Sequence, residues 1–314
     1  MRPFRFGLAR SRAGTADEIL ATARRAETVG YDVYLIADHL GLLSVFPTLT
    51  AVAAVTERLR IGTYVVANDY RPLAILAEDA ATVDFFSEGR LELGIGAGWM
   101  KGEYDAAGWT FDRAPVRIAR LEESATLLRR LFAGEKVTHE GEHYRLDGFE
   151  LAHLPPQGAR LPLLIGGNGD KLLSVAGRHA DIVSFTGFSS RQGGQEVDIT
   201  HWTDEGLADR IDVVRRAAGD RFAELELNML IQRAAVTDDP EATAARFVDE
   251  GRLARSSPIT AEELLASPFV LLGTVEEIAD RLRSFRTRFG VSYVTVSDER
   301  SEGFDAVVEL LAGT

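Results

Sequence analysis

Eight apolar runs constrain this chain more than any other feature. Each stops at polar or Gly-rich residues, and a helical pattern then follows. Four show it most clearly: Val33-Tyr34-Leu35-Ile36-Ala37-Asp38-His39, Ile61 to Asp69, Leu91 to Trp99, and Leu163-Leu164-Ile165-Gly166-Gly167-Asn168-Gly169. A run that is apolar throughout, not alternating, fits a strand covered on both faces, as in a parallel sheet wrapped by helices. The pattern predicts an α/β fold, a single (β/α)8 TIM barrel over residues 1–314. Active sites of such barrels lie at the carboxyl ends of the strands.

The expected strands are Phe4 to Ala9, Tyr31 to Ala37, Ile61 to Ala67, Leu91 to Gly96, Pro162 to Ile165, Asp181 to Phe185, Leu225 to Gln232 and Ser292 to Val296. Thr15 followed by Asp17 and Glu18 opens the first helix, and Gly30 ends it. Further helices are expected at Pro47 to Arg58, Pro72 to Phe86, Val116 to Ala133, Gly169 to His179, Asp204 to Ala218, Glu241 to Leu253 and Thr274 to Phe289. Insertions follow strands four, six and seven. They are the Met100 to Pro115 loop with the extended pieces of Val137 to Leu151, the polar Thr186 to Thr203 loop, and Ser256 to Phe269.

Composition narrows the function classes. The net charge of −13 disfavours nucleic acid and anionic membrane as partners, since both need a basic surface. With no cysteine, disulfides, thiolate metal sites and Cys nucleophiles are excluded. No segment has the apolar length of a membrane span, and a cytoplasmic location is expected. His139, His143, His153, His179 and His201 show no metal-ligand spacing, so no metal is expected. No G-x-S-x-G elbow marks a serine hydrolase.

The candidate site residues sit where the runs end. Asp38-His39 joins a proton carrier to a carboxylate that orients it or hydrogen-bonds a ring N–H. Gly94-Ile95-Gly96-Ala97-Gly98 lacks the Rossmann spacing, and its helix starts late. Glycines there let a flat ring approach the backbone, with crowding at a barrel corner as the structural alternative. Gly166-Gly167-Asn168-Gly169 opens a helix whose N–H groups face an anion, or is a plain tight turn. Lys171 and Arg178 are the nearby cations, with Arg178, two turns along the helix, read as structural. Asn68 either bonds the polar edge of a ring or shapes a turn. Glu103-Tyr104 is either a proton relay or packing.

Taken together, Ala26-Glu27-Thr28-Val29-Gly30-Tyr31-Asp32 with Asp38-His39, Glu57 to Thr63, Ala80 to Asp84, Ser87 to Trp99 and Ile165-Gly166-Gly167 carry a family likeness over nearly the whole chain. The chain resembles the bacterial luciferase-like flavin-dependent oxidoreductases, and most of all their F420-dependent branch. The resemblance implies a deazaflavin or flavin across the carboxyl ends of the strands. It implies contact of Asp38 and His39 with ring or substrate, and a bulge with a non-prolyl cis peptide at Tyr64-Val65 behind the ring. Ala97-Gly98 would line the pocket and Gly166-Gly167 would bind phosphate. A homodimer is implied, packed through Pro72 to Phe86 and the fourth-strand helix.

One departure matters. The sugar-phosphate dehydrogenases of the family carry a catalytic Glu just after the Gly-rich strand end, where this chain has Trp99-Met100-Lys101. The expectation is an oxidoreductase moving a hydride between coenzyme F420 and a small organic substrate, with His39 as proton carrier and Asp38 positioning ring or imidazole. The alternatives are an FMN-dependent monooxygenase supplied by a separate reductase, and a flavin-binding protein without turnover.

Overall fold

Eight parallel strands close on themselves in the computed structural model, which describes residues 1–191, 196–199, 201–251 and 259–314. They are β1 (Arg5–Arg10), β2 (Val33–Ile36), β3 (Arg60–Thr63), β4 (Leu91–Gly96), β5 (Leu163–Gly167), β6 (Ile182–Phe185), β7 (Glu226–Leu230) and β8 (Val291–Ser297). Each pairs with the next in chain order, and β8 returns to β1 with Arg5 opposite Tyr293. Helices fill the crossovers, so the expected TIM barrel is the observed fold. Part of the Thr186 to Thr203 loop, including Gln192 to Gln195, and part of the Ser256 to Phe269 insertion lie outside the described residues.

The barrel interior is layered by polarity. At the amino end Arg5 is held by Glu92 and Glu226, and Arg60 Nε donates to the same Glu92 at 2.8 Å. Burial alone would make Arg5 easier to deprotonate, but the two carboxylates and Tyr293 outweigh it and raise its pKa. Above this plug Val33, Leu35, Leu164, Ile182 and Tyr293 form a dry cluster. A methyl on Gly7 would meet Leu35 and Thr295 at 2.9 Å, so the absence of a side chain there lets this cluster close. Nearest the carboxyl end lies a polar layer. Tyr64 Oη donates to Asn228 Oδ1 (2.9 Å), and so does Ser184 Oγ (2.7 Å), while Asn228 Nδ2 donates to Thr295 Oγ1 (2.8 Å).

Local chemistry explains most element boundaries. Thr15 and Glu18 form a reciprocal capping box on helix Ala16–Val29, and Gly30 ends it at φ 103°. The second helix runs Val45–Ala53, shorter than the expected Pro47 to Arg58. Its continuation is diverted because Glu27 Oε1 accepts the N–H groups of Glu57, Arg58 and Leu59 at 2.9, 2.6 and 2.8 Å. Burial works against the Glu27 carboxylate, but these three donors keep its pKa low.

Three further departures concern the loops. The Met100 to Pro115 segment holds a short helix, Lys101–Ala107. The Val137 to Leu151 pieces pair as an antiparallel hairpin, Val137–Glu140 with Arg145–Phe149. Past β7 the chain leaves the barrel. Arg233–Val236 pairs in parallel with Val270–Gly273 and with Ser301–Glu302, a small sheet the hydropathy runs do not announce.

Candidate functional site

The loop after β2 presents the two residues singled out there. Asp38 is buried and takes both guanidinium N–H groups of Arg71 (2.5 and 3.1 Å) and the Ala67 N–H (3.3 Å). His39 is half-buried, and its Nδ1 lies 2.7 Å from Glu103 Oε1. The other Glu103 oxygen accepts the Leu40 N–H (3.2 Å) and the Tyr70 hydroxyl (2.5 Å). The imidazole is therefore oriented by Glu103, and the carboxylate next to it in sequence is committed to Arg71. Of the two roles open to Asp38, positioning the imidazole is corrected by this geometry.

Glu103 reaches His39 because Lys101–Ala107 is helical. Tyr104 points elsewhere: it is fully buried, and its hydroxyl donates to Asp69 (3.2 Å). Burial and the neighbouring Asp69 both push that hydroxyl up in pKa. The alternatives for Glu103-Tyr104 thus divide: Glu103 faces the His39 imidazole and Tyr104 packs. Tyr104 also explains Gly98, where a Cβ would sit 2.0 Å from the Tyr104 oxygen and φ is +73°.

The edge after β3 is broken. A cis peptide joins Tyr64 to Val65, and a two-residue strand, Val66–Ala67, resumes beside β4. Burial raises the pKa of the Tyr64 hydroxyl, which is tied into the polar layer below the mouth. Val65 fills the space left by Gly94 and Gly96, where added methyls would lie 3.0 and 2.6 Å from its side chain. Asn68 is buried; its Nδ2 donates to Tyr144 Oη (2.8 Å), and its Oδ1 has no partner.

Across the barrel, Gly169 caps helix Asp170–His179 with no side-chain hydrogen bond, and nothing lies within 4 Å of a Cβ built there. The first N–H groups of that helix have no side-chain cap and carry the positive end of the helix dipole. Asn168 is buried, its carbonyl accepts from Arg210 (3.1 Å), and its side-chain Oδ1 has no partner. Arg178, two turns along the helix, is held by Glu122 (2.7 Å), in keeping with a structural role. Gly166 and Gly167 end β5 against Ser184 and Leu172.

These features fit an anionic group with a planar polar ring. An uncapped helix end with room before it suits a phosphate, and buried unpartnered oxygens at Asn68 and Asn168 suit donors on a ligand. Among the described residues no cluster of His, Asp and Glu has the arrangement of a metal site. Arg71, Tyr70, Ser184, Asn228 and Arg210 were not among the expected site residues. Only Tyr70 and Arg71 carried a sequence signal, as members of the polar Asn68-Asp69-Tyr70-Arg71 stretch.

The chain is similar to known proteins over most of its length. The sequence model of the family described as luciferase-like monooxygenase matches residues 1–292. The F420-dependent glucose-6-phosphate dehydrogenase of Nakamurella multipartita is 33% identical over 251 residues, covering 76% of this chain and 70% of the relative. That of Microbacterium testaceum is 29% identical over 307 residues, covering 90% and 88%. The coenzyme F420-dependent tetrahydromethanopterin reductase of Methanopyrus kandleri superimposes with a TM-score of 0.81 at 18% identity, over 99% of this chain and 97% of that one.

Proposed function

The chain belongs to the luciferase-like monooxygenase family, and from that premise we propose that it is an F420-dependent oxidoreductase acting on a small organic substrate. The observation that carries the reading is His39, fixed at Nδ1 by Glu103 on a barrel mouth whose far side is an uncapped helix end. Relatives on either side of 30% identity are named for F420.

F420, when bound, supplies hydride transfer at its ring. The backbone at Gly166 to Gly169 and the first turn of helix Asp170–His179 would hold its phosphate. Asn68 and Asn168 would meet its polar atoms, and Tyr64, Val65, Ala97 and Gly98 would lie along the ring. The chain's own chemistry is proton handling. A carboxylate on Nδ1 keeps the proton on that nitrogen in the neutral imidazole, so Nε2 faces substrate as the acceptor. Once protonated, the same Nε2–H donates in the reverse direction. Tyr70 and the Leu40 N–H hold Glu103 in place, so the imidazole does not need to reorient between cycles. Asp38 fixes Arg71 and the Ala67 N–H, which sets the path of the chain after the Tyr64–Val65 bulge.

Titration of the purified protein with F420 and with FMN tests the cofactor. Micromolar FMN affinity with no F420 binding would replace this reading by the monooxygenase one, with its separate reductase. The anion site has its own test. Gly169→Asp adds an N-cap side chain where φ is −81° and space is open. Stability is expected to hold or rise, while F420 affinity falls about 10-fold or more as the new carboxylate competes for the same N–H groups. Unchanged F420 affinity would move the phosphate elsewhere.

The reading includes a homodimer. Helix Leu73–Phe86 is apolar around most of its circumference, and Phe85 and Phe86 are 60% and 61% exposed. A helix of that kind is ordinarily covered. Sedimentation at twice the 34.3 kDa chain mass is expected; a monomer at micromolar concentration would remove the dimer. No helix among the described residues is long and apolar enough to cross a membrane.

A further inference from the structure

The loops after β2 and β4 leave an apolar rim around His39 that proton transfer does not require. Trp99 is 38% exposed and sets its ring edge-to-face with the His39 imidazole, centroids 6.1 Å apart. Leu40, 40% exposed, follows His39 directly, and its N–H is the one that donates to Glu103. Trp109, 41% exposed, packs at 5.2 Å on Tyr70, whose hydroxyl reaches the same Glu103. Trp99 touches the imidazole itself, Leu40 is tied to Glu103 through its backbone, and Trp109 packs on a partner of Glu103, so the three gather around His39. Large apolar groups gathered at one place mark a binding site, whereas scattered ones do not.

The charge around that surface is equally specific. Arg71 is bound by Asp38, Lys101 by Asp105, and Arg120 by Asp69 and Asp112. Arg117 spends its N–H groups on the carbonyls of Ala97, Gly98 and Asp112. Asp38, Asp69 and Glu103 stand behind the rim. A phosphoryl group needs uncommitted guanidinium, ammonium or backbone N–H donors. These four are each engaged by a carboxylate or by carbonyls, and Glu103, which no guanidinium among the described residues neutralises, disfavours a phosphoryl group beside His39.

We infer that the substrate is a neutral molecule whose apolar portion rests on Trp99 and Leu40 beside His39, and that Trp99 selects it over a phosphorylated sugar. The inference rests on the reading of His39 given above and names its substrate class. An occupant that covers this rim while reaching Nε2 of a half-buried imidazole has to be small, which favours a substrate over a protein partner. Trp99 supplies area with little ordering cost, since its ring is already set against the imidazole.

The experiment titrates secondary alcohols of increasing chain length, and glucose 6-phosphate, against the F420-loaded protein, read by tryptophan fluorescence and calorimetry. Affinity is expected to rise roughly 4-fold per added methylene, the transfer value for a buried CH2, with glucose 6-phosphate bound more weakly than any alcohol of the series. Trp99→Phe should keep most of the gradient. Trp99→Glu should abolish it, with F420 affinity and the thermal midpoint unchanged. A wild-type protein with no gradient, or with tighter binding of glucose 6-phosphate, overturns the inference. A Trp99→Glu variant that keeps the gradient overturns the role of Trp99. Should F420 itself not bind, the same series on the protein alone separates the two claims: a gradient lost in Trp99→Glu upholds the apolar site while the cofactor reading falls.

Discussion

His39→Ala is expected to lower turnover by about 10²- to 10⁴-fold, the usual worth of a positioned general acid or base, while F420 affinity changes by no more than about 3-fold, under 1 kcal/mol. The asymmetry follows from where the residue sits. Its Nδ1 is fixed by Glu103 at 2.7 Å, so the residue's remaining capacity is at Nε2. Removing the imidazole deletes the proton carrier but leaves the helix end at Gly169 and the bulge at Tyr64–Val65 in place. A screen of enone, ketone and alcohol substrates with reduced and oxidised F420, followed at the deazaflavin absorbance, supplies the assay. Glu103→Gln separates positioning from chemistry. The amide keeps one oxygen for Nδ1–H and turns its NH2 toward Tyr70 Oη, which can accept, while the Leu40 N–H loses its acceptor; turnover should fall about 10-fold, less than in Glu103→Ala, which frees the imidazole to rotate. Full turnover of His39→Ala with every accepted substrate would mean that solvent or another side chain moves the proton.

What was legible in the sequence follows a physical division. The barrel strands read out because burial on both faces leaves an uninterrupted apolar run, and the first helix read out because Thr15 and Gly30 punctuate it. The small sheet of Arg233–Val236, Val270–Gly273 and Ser301–Glu302 did not, because its strands are short and their partners are set by tertiary contacts. The same limit governs the site. Asp38 and His39 are adjacent in the chain, which invites pairing them, yet a strand end turns successive side chains to different neighbours. The true partner of His39 lies 64 residues away on a short helix inside what reads as a loop. Ser184, Asn228 and Thr295, the partners of Tyr64 in the polar layer, were hidden for the same reason, since each is a polar residue between apolar neighbours.

Gly94→Ala is expected to destabilise the protein by about 3 kcal/mol or more, at the upper end of overpacking costs. A Cβ on Gly94 would lie 2.2 Å from the Thr63 carbonyl oxygen and 3.0 Å from Val65 Cγ1. The first of these atoms is backbone and cannot rotate away. It is also stitched in place, because Thr63 Oγ1 donates to the Gly94 carbonyl (2.7 Å) and accepts the Gly94 N–H (2.8 Å). Relief therefore requires β3 and β4 to separate, and with them the segment that carries Tyr64 to Ser184 and Asn228. The variant should lose F420 affinity together with stability, since the Tyr64 side of the mouth moves. Gly167→Ala is the control. Its added methyl would meet the tip of Leu172 at 2.5 Å, the mobile end of a side chain, and a cost of about 1 kcal/mol or less is expected, partly offset by the stiffer unfolded chain. Urea midpoints at constant slope measure both variants. Equal midpoints for Gly94→Ala and the wild type would show that β3 and β4 yield easily, and that the glycines of the fourth strand serve the ligand and not the bulge beside them.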